Sequence, residues 1–208
     1  MKITVNNQYK RDIFQKLNFH FRKSAKILDI GCGDGVDAKI FIDQYNLRTY
    51  GIDVFKHENI NSINKLLFRK SSIYTIPYED NFFDYVFLHD VLHHIDEPKQ
   101  RPLKHIQALK ELKRVCKPGG HIIIVEGNRY NPLFYPHMVR MLGHNHWRQG
   151  YFMKTVTSVF SNISFRFFEA HFYPEKYLWI FKRYEFIMEH FIPKWFLAYN
   201  VAIIQNEK

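Results

Sequence analysis

Residues 29–35 read Asp29-Ile30-Gly31-Cys32-Gly33-Asp34-Gly35 and follow directly on the apolar run Lys26-Ile27-Leu28. Glycine accepts positive φ and carries no Cβ, so glycines at alternate positions let a chain turn sharply and pass close to a ligand. Behind this loop, residues 36–45 return to helical periodicity. An apolar run, a glycine turn and a helix, in that order, read as a buried parallel strand feeding the helix that covers it. The unit then repeats. Thr49-Tyr50-Gly51-Ile52-Asp53 reads as a second buried strand, with a helix expected near 58–66 and a strand near 67–71. After a turn at Ile76-Pro77-Tyr78-Glu79-Asp80-Asn81, the run Phe83-Asp84-Tyr85-Val86-Phe87-Leu88-His89 is a fourth strand, followed by a helix near 103–116. Lys117-Pro118-Gly119-Gly120 reads as a turn into His121-Ile122-Ile123-Ile124-Val125-Glu126, the most β-branched run in the chain. Strands alternating with helices across short turns specify an α/β fold with a doubly wound parallel sheet.

Outside this frame, Tyr9, Ile13, Phe14, Leu17 and Phe21 stand at helical spacing and predict an amphipathic helix over 7–22. Residues 128–161 break the rhythm with Pro132, Pro136, Gly143 and Gly150 among aromatics, and read as loops and short helices. A strand over 164–172, a helix over 175–190 and a last strand over 198–205 complete the chain. At 208 residues, with no repeat or Gly/Ser-rich linker, one domain is expected.

In an open α/β sheet the ligand lies at the carboxyl ends of the strands, where strand order reverses. For the glycine loop two ligands compete. Gly33, Gly35 and Ala38 satisfy the dinucleotide fingerprint G-x-G-x-x-G/A, and Asp53 lies about 20 residues beyond, as that fingerprint asks. The loop by itself does not exclude a nicotinamide cofactor.

Asp29 closing the first strand, the three glycines and Asp53 closing the second together resemble the class I S-adenosylmethionine (SAM)-dependent methyltransferases. So do the Ile76-Pro77-Tyr78 turn, the Val91-Leu92-His93-His94 run, and Leu112-Lys113-Arg114-Val115-Cys116 before the Lys117–Gly120 turn. The group most resembled is the "type 11" set that includes quinone-biosynthesis methyltransferases, and the resemblance spans about 26–126. It implies a seven-stranded, mostly parallel Rossmann-like sheet with an antiparallel last strand. It also implies a division into a helical cap (1–25), a SAM-binding core (26–126), an acceptor-site cover (127–163) and a strand-helix-strand (164–208). SAM is the cofactor so implied. Asp29 with the backbone of Gly31, Cys32, Gly33 and Gly35 would surround its methionyl part. Asp53 would accept from the two ribose hydroxyls, as an ionised carboxylate can. Val54 would follow it, Ser72 and Ile73 would flank the adenine, and His89 would lie near the sulfonium. The family often has Asp where Ser72 stands.

His89, His93 and His94 with Asp90 and Asp96 have the composition of a metal cluster. They leave a strand for a loop, however, without the spacing of an established metal motif, and the resemblance implies no metal. A general base at His93 or His94 is the sharper expectation, because an imidazole titrates near neutral pH. Methyl transfer from a sulfonium draws its rate mainly from in-line positioning of the acceptor, so a base is optional.

The formal net charge is +10, which favours anionic partners without choosing among them. Between Glu126 and Glu169 there is no acidic residue, while Arg129, Arg140, Arg148, Lys154 and Arg166 lie among Tyr130, Phe134, Tyr135, Trp147, Tyr151 and Phe152. Half of the excess charge therefore falls in one aromatic interval after the fifth strand. Such a mixture suits a small acceptor with an apolar or aromatic body and an anionic group. Glu126, Asn128, Arg129, Tyr130, Arg140 and Arg148 are the candidate substrate-binding residues, against the alternative of a merely solvated basic face.

Two further readings stand beside this one. The basic balance suits an RNA methyltransferase, though no RNA-binding appendage or Asn-Pro-Pro-Tyr motif accompanies it. The stretches Tyr177-Leu178-Trp179-Ile180-Phe181 and Phe191-Ile192-Pro193-Lys194-Trp195-Phe196 suit a membrane surface, but helical spacing places them on the inner face of the last helix and its exit. Met1-Lys2-Ile3-Thr4-Val5 runs into polar Asn6-Asn7-Gln8, which argues against a signal peptide, and no apolar run reaches the length of a membrane span. Two cysteines, Cys32 and Cys116, fit a reducing, cytoplasmic setting.

Overall fold

A computed structural model describes residues 5–97, 99–171 and 175–207. In chain order the elements are α1 (Val5–Leu17), β1 (Lys26–Ile30), α2 (Val36–Asp43), β2 (Arg48–Asp53), β3 (Leu67–Lys70), β4 (Phe83–His89), α3 (Pro102–Val115), β5 (Cys116–Gly127), α4 (Gln149–Thr157), β6 (Ile163–Phe168), α5 (Leu178–Phe191) and β7 (Tyr199–Gln205). The seven strands form one sheet in the order β3-β2-β1-β4-β5-β7-β6, with β7 antiparallel to both of its neighbours.

Period-two alternation divides the core cleanly. Leu28, Ile30, Val86, Leu88, Ile122 and Ile124 point to one face, where Leu109 and Leu112 of α3 and Phe152 and Val156 of α4 close over them. Ile27, Phe87, Ile123 and Val125 point to the other, covered by Ile13, Phe14 and Leu17 of α1 and Phe41 of α2. The central strands are thus apolar on both sides, which is why they read as continuous hydrophobic runs.

The sequence expectations depart from the structure at several boundaries. α1 ends at Leu17 rather than near residue 22, because Asn18 takes a left-handed φ of 42° that closes the helix. The helix expected over 58–66 is only a 3-10 turn, Glu58–Ser62. Its Asn and Ser side chains compete for backbone hydrogen bonds, and Lys65 sits at φ 70°. Lys117–Gly120 is not a separate turn but a bulged start of β5: pairing runs Phe83 to Cys116 and then Tyr85 to His121. Gly120 is required there, since a Cβ would stand 2.8 Å from the carbonyl oxygen of Asp84. β6 stops at Phe168; Phe172, the expected end, lies outside the described residues, as do the first four residues of the cap.

The inner-face expectation for the last helix is overturned. Trp179, Phe191 and Trp195 are 61%, 72% and 59% exposed. α5 instead turns a polar side inward, where Lys16 of α1 meets Glu185 at 3.0 Å and Glu189 at 2.7 Å, and Lys182 meets Asp12 at 3.0 Å. Among the described residues no helix is long and apolar enough to cross a membrane.

Candidate functional site

Strand register assembles the site. Ile30 of β1 pairs with Ile52 of β2 and Leu88 of β4, so the residues that follow, Gly31, Asp53 and His89, stand together at one edge of the sheet. β1 separates β2 from β4, and this is where strand order reverses. His89 pairs with Val125, which brings Glu126 to the same edge.

The glycine loop is built by close approach. Gly31 has φ 66°, and a Cβ there would lie 2.6 Å from a methyl of Val91. Gly35 has φ 80°, with a methyl of Ile63 at 2.3 Å from such a Cβ. No side chain fits either position without displacing a neighbour. The amide of Gly33 donates to one oxygen of Asp53 at 2.9 Å, which fixes the carboxylate at the loop's mouth. Val54 beside it is exposed. The Ser72 hydroxyl accepts from the Tyr74 amide at 3.3 Å, leaving its own proton to donate, and Ile73 is buried beneath. Cys32 packs under the loop against Gly51; burial and the neighbouring carboxylates push its thiol far up, so it fills space rather than attacks.

Asp29 is buried, and one of its oxygens has no hydrogen-bond partner among the described residues. Burial, with Asp37 close by, raises its pKa well above the ordinary carboxylate range. A cationic donor arriving at the loop would favour the ionised form and satisfy that oxygen, and the amino group of SAM is such a donor, so the unpartnered atom fits the implied cofactor.

His89 does not stand alone. Its Nδ1 lies 3.0 Å from Asp37 and 3.0 Å from the Lys10 ammonium, which itself meets Asp37 at 2.6 Å. Burial favours the neutral acid, but Lys10 and His89 hold Asp37 below the usual range, and Asp37 in turn raises Lys10 against its own burial. Lys10 and Asp37 had escaped the sequence reading, since nothing in the spacing of α1 shows that one lysine reaches the strand ends. A cavity of about 210 Å³ lined by Arg11, Asp34, Gly35 and Ser62 lies beside α2; Asp29, Asp53 and His89 do not line it.

The rings of His93 and His94 stay 4.0 Å apart between centroids, but the two differ in burial. His94 is largely exposed and pairs with Glu97 at 3.2 Å, while Asp96 holds Arg101. His93 is buried with its Nδ1 on Glu126, whose other oxygen accepts from the Leu92 amide at 3.0 Å. Burial lowers the His93 pKa and Glu126 raises it, with a net upward shift. The His93 ring also meets His146, centroids 4.2 Å apart, and the His144 ring centroid lies 5.9 Å from that of His146. Burial and the nearby imidazoles lower His146 to about 4.

Of the expected substrate residues, only Tyr130 and Arg148 come together. The guanidinium lies 5.4 Å over the ring, and both line a cavity of about 660 Å³ with Gln149, Trp195 and Phe196. Arg129 turns to Asn145 at 3.3 Å, and Arg140 is exposed on a π-helical turn, Tyr135–Met141. Glu126 and Asn128 are fully buried. The Asn128 amide holds the carbonyls of Trp195 and Leu197 at 2.7 and 2.9 Å, so both side chains brace the framework rather than face an acceptor.

This arrangement has known counterparts. Residues 28–124 match the family described as "Methyltransferase domain". The segment is a methyltransferase domain of the class I, SAM-dependent, type 11 kind. An uncharacterized methyltransferase of Schizosaccharomyces pombe is 32% identical over 135 residues, 56% of this chain and 45% of that protein. Phosphoethanolamine N-methyltransferase 2 of Caenorhabditis elegans is 29% identical over 50% of this chain and 24% of its own. The chain thus spans less than half the length of these two curated relatives. In fold it is similar to a chain of the complex between the Haloferax volcanii Trm112 methyltransferase activator and its methyltransferase, with a TM-score of 0.70, 13% identity, and 97% and 93% of the two chains covered. Phosphoethanolamine N-methyltransferase 2 of Haemonchus contortus, solved with SAM, gives 0.64 at 15% identity, covering 97% of this chain and 53% of that one. The family match ends within β5, and the cover lies beyond it.

Proposed function

We propose that the chain transfers the methyl group of SAM to a small acceptor that is anionic and partly apolar. The observation that carries the cofactor half is the edge formed by Asp29, the Gly31–Gly35 turn and Asp53, with one Asp29 oxygen unpartnered among the described residues. SAM would supply a methyl already activated on a sulfonium. The chain's part is to hold and align: Asp53 fixed by Gly33 for the ribose, exposed Val54 and half-buried Ser72 beside it, and the Lys10–Asp37–His89 group at the end of β4. Of the two histidines expected as a base, His93 is buried and held in one orientation by Glu126, and His94 pairs with Glu97; transfer by in-line positioning needs neither. The acceptor half rests on the Tyr130–Arg148 groove, where a ring offers apolar surface and a guanidinium can take a carboxylate or phosphate in two parallel hydrogen bonds. Relatives named as phosphoethanolamine N-methyltransferases support a small phosphorylated acceptor.

Calorimetric titration with S-adenosylhomocysteine tests the cofactor half. A one-to-one complex is expected, weakened at least tenfold in Asp53→Ala; no heat and no thermal shift would sink it. A second reading, action on a lipid-linked acceptor at a membrane, is favoured by the exposed Trp179, Phe191 and Trp195 near Arg183 and Lys194. Flotation with acidic vesicles separates the two, because a free small-molecule enzyme stays at the bottom of the gradient.

A further inference from the structure

We propose that His93, His144 and His146 form a site for a divalent transition-metal ion of the zinc, cobalt, nickel or iron(II) class, which clips the cover segment to the loop after β4. One ligand atom from each of the three residues lies within 4.8 Å of the others. His146 is 5% exposed, yet neither of its ring nitrogens has a hydrogen-bond partner among the described residues. Two such nitrogens left bare in an interior are costly, and a metal ion is one way to satisfy an imidazole lone pair.

The surroundings are those of a ligand set. With Nδ1 of His93 held on Glu126, Nε2 is the nitrogen left to coordinate; a carboxylate behind a ligating imidazole fixes its tautomer and raises its basicity. His144 and His146 are two residues apart, the spacing that turns both side chains to one side of an extended segment. Gly127 makes room for the second, since a Cβ there would lie 2.7 Å from Nδ1 of His146. Asp90 belongs to an overlapping group with His93, Glu126 and His146, again within 4.8 Å, and puts a carboxylate oxygen at the rim. Three imidazoles suit borderline metals rather than magnesium or calcium, which prefer all-oxygen shells. Metal–nitrogen bonds of about 2.0–2.1 Å require the ligand atoms to draw together by roughly 1 Å.

Without a metal, the same residues are a stack of buried imidazoles, and the two states are separable. Tag-free, full-length protein stripped with a chelator is titrated with Co²⁺ alone, in the absence of SAM, and read by visible absorption and by metal content. One equivalent is expected to bind at micromolar concentration or tighter, to be displaced by Zn²⁺, and to raise the midpoint of thermal unfolding by several degrees. His144→Ala, on a partly exposed loop position that spares the core, weakens binding at least tenfold. His146→Gln does the same at the buried position, whereas His137→Ala, an exposed imidazole on the π-helical turn, leaves it unchanged. Uptake of less than half an equivalent, or affinity unaltered in both His144→Ala and His146→Gln, overturns the proposal. Binding of S-adenosylhomocysteine by the same samples is measured separately, so failure of the metal site and failure of the methyltransferase reading remain distinct.

Discussion

The acid-free interval is bounded by two glutamates, and both are fully buried beside an imidazole: Glu126 on His93, and Glu169 on His171. Glu169 sits in a crowd of donors. Its carboxylate accepts from the Asn131 amide at 2.9 and 3.2 Å and from the Ala198 backbone at 2.8 Å, and its own amide donates to Glu189 at 2.9 Å. Glu126 has one backbone donor and His93, and beyond His93 stands His146 with neither nitrogen hydrogen-bonded among the described residues. The same chemical pair thus serves two ends. Around Glu169 several donors converge and tie the cover to β7, with the Tyr184 hydroxyl beside it unpartnered among the described residues, whereas beyond the Glu126–His93 pair both ring nitrogens of one imidazole are left bare.

The largest effect expected from this contrast is at Glu169. Glu169→Ala removes the acceptor of the Ala198 N–H and one acceptor each of the Asn131 amide and His171, and should cost about 3–5 kcal/mol in urea unfolding. A loss under about 1 kcal/mol would break the comparison, since single surface changes cost no more. Glu126→Gln keeps shape and one acceptor, so about 1–2 kcal/mol is expected. Its sharper readout is a 10- to 100-fold weaker Co²⁺ affinity, the usual consequence of losing the group behind a ligating imidazole.

The same logic applies across the sheet at Asp29. Its folded-state pKa is raised by burial, so ionisation works against the fold once pH climbs above the unfolded value near about 3.9. Asp29→Asn should therefore stabilise the ligand-free protein at pH 7 by about 1 kcal/mol, with the gain disappearing below roughly pH 4, while cofactor affinity falls. A variant that gains nothing as pH rises from 4 to 7 shows that Asp29 is already satisfied. The smallest change in stability belongs to Arg148→Ala, within about 0.5 kcal/mol because the side chain is exposed. Acceptor KM should rise severalfold at unchanged SAM affinity; an unaltered KM would remove the groove from the site.

How much was legible follows contact distance along the chain. The apolar run, glycine loop and helix are one local unit, so Asp29, Gly31, Gly33 and Gly35 could be placed from their neighbours alone. Asp53 followed from the next repeat of that unit. His93 and His94 looked alike in sequence, but a 3-10 turn, Leu92–His94, buries the first and exposes the second. Glu126 and Asn128 looked available because they end a strand. Only the packing of Leu92 and of the segment from Trp195 to Leu197 shows that their side chains are already occupied.

The sequence by itself determined the alternation of strands and helices and the place of the glycine loop, because periodicity and glycine placement act over a few residues. The tertiary structure alone decided which polar groups meet. Lys10 reaches Asp37 and His89 from α1, and His146 reaches His93 from the cover, across 27, 79 and 53 positions of chain. No local propensity encodes such meetings; they exist because burying the apolar faces of helices and loops on one sheet carries their polar residues to the same edge.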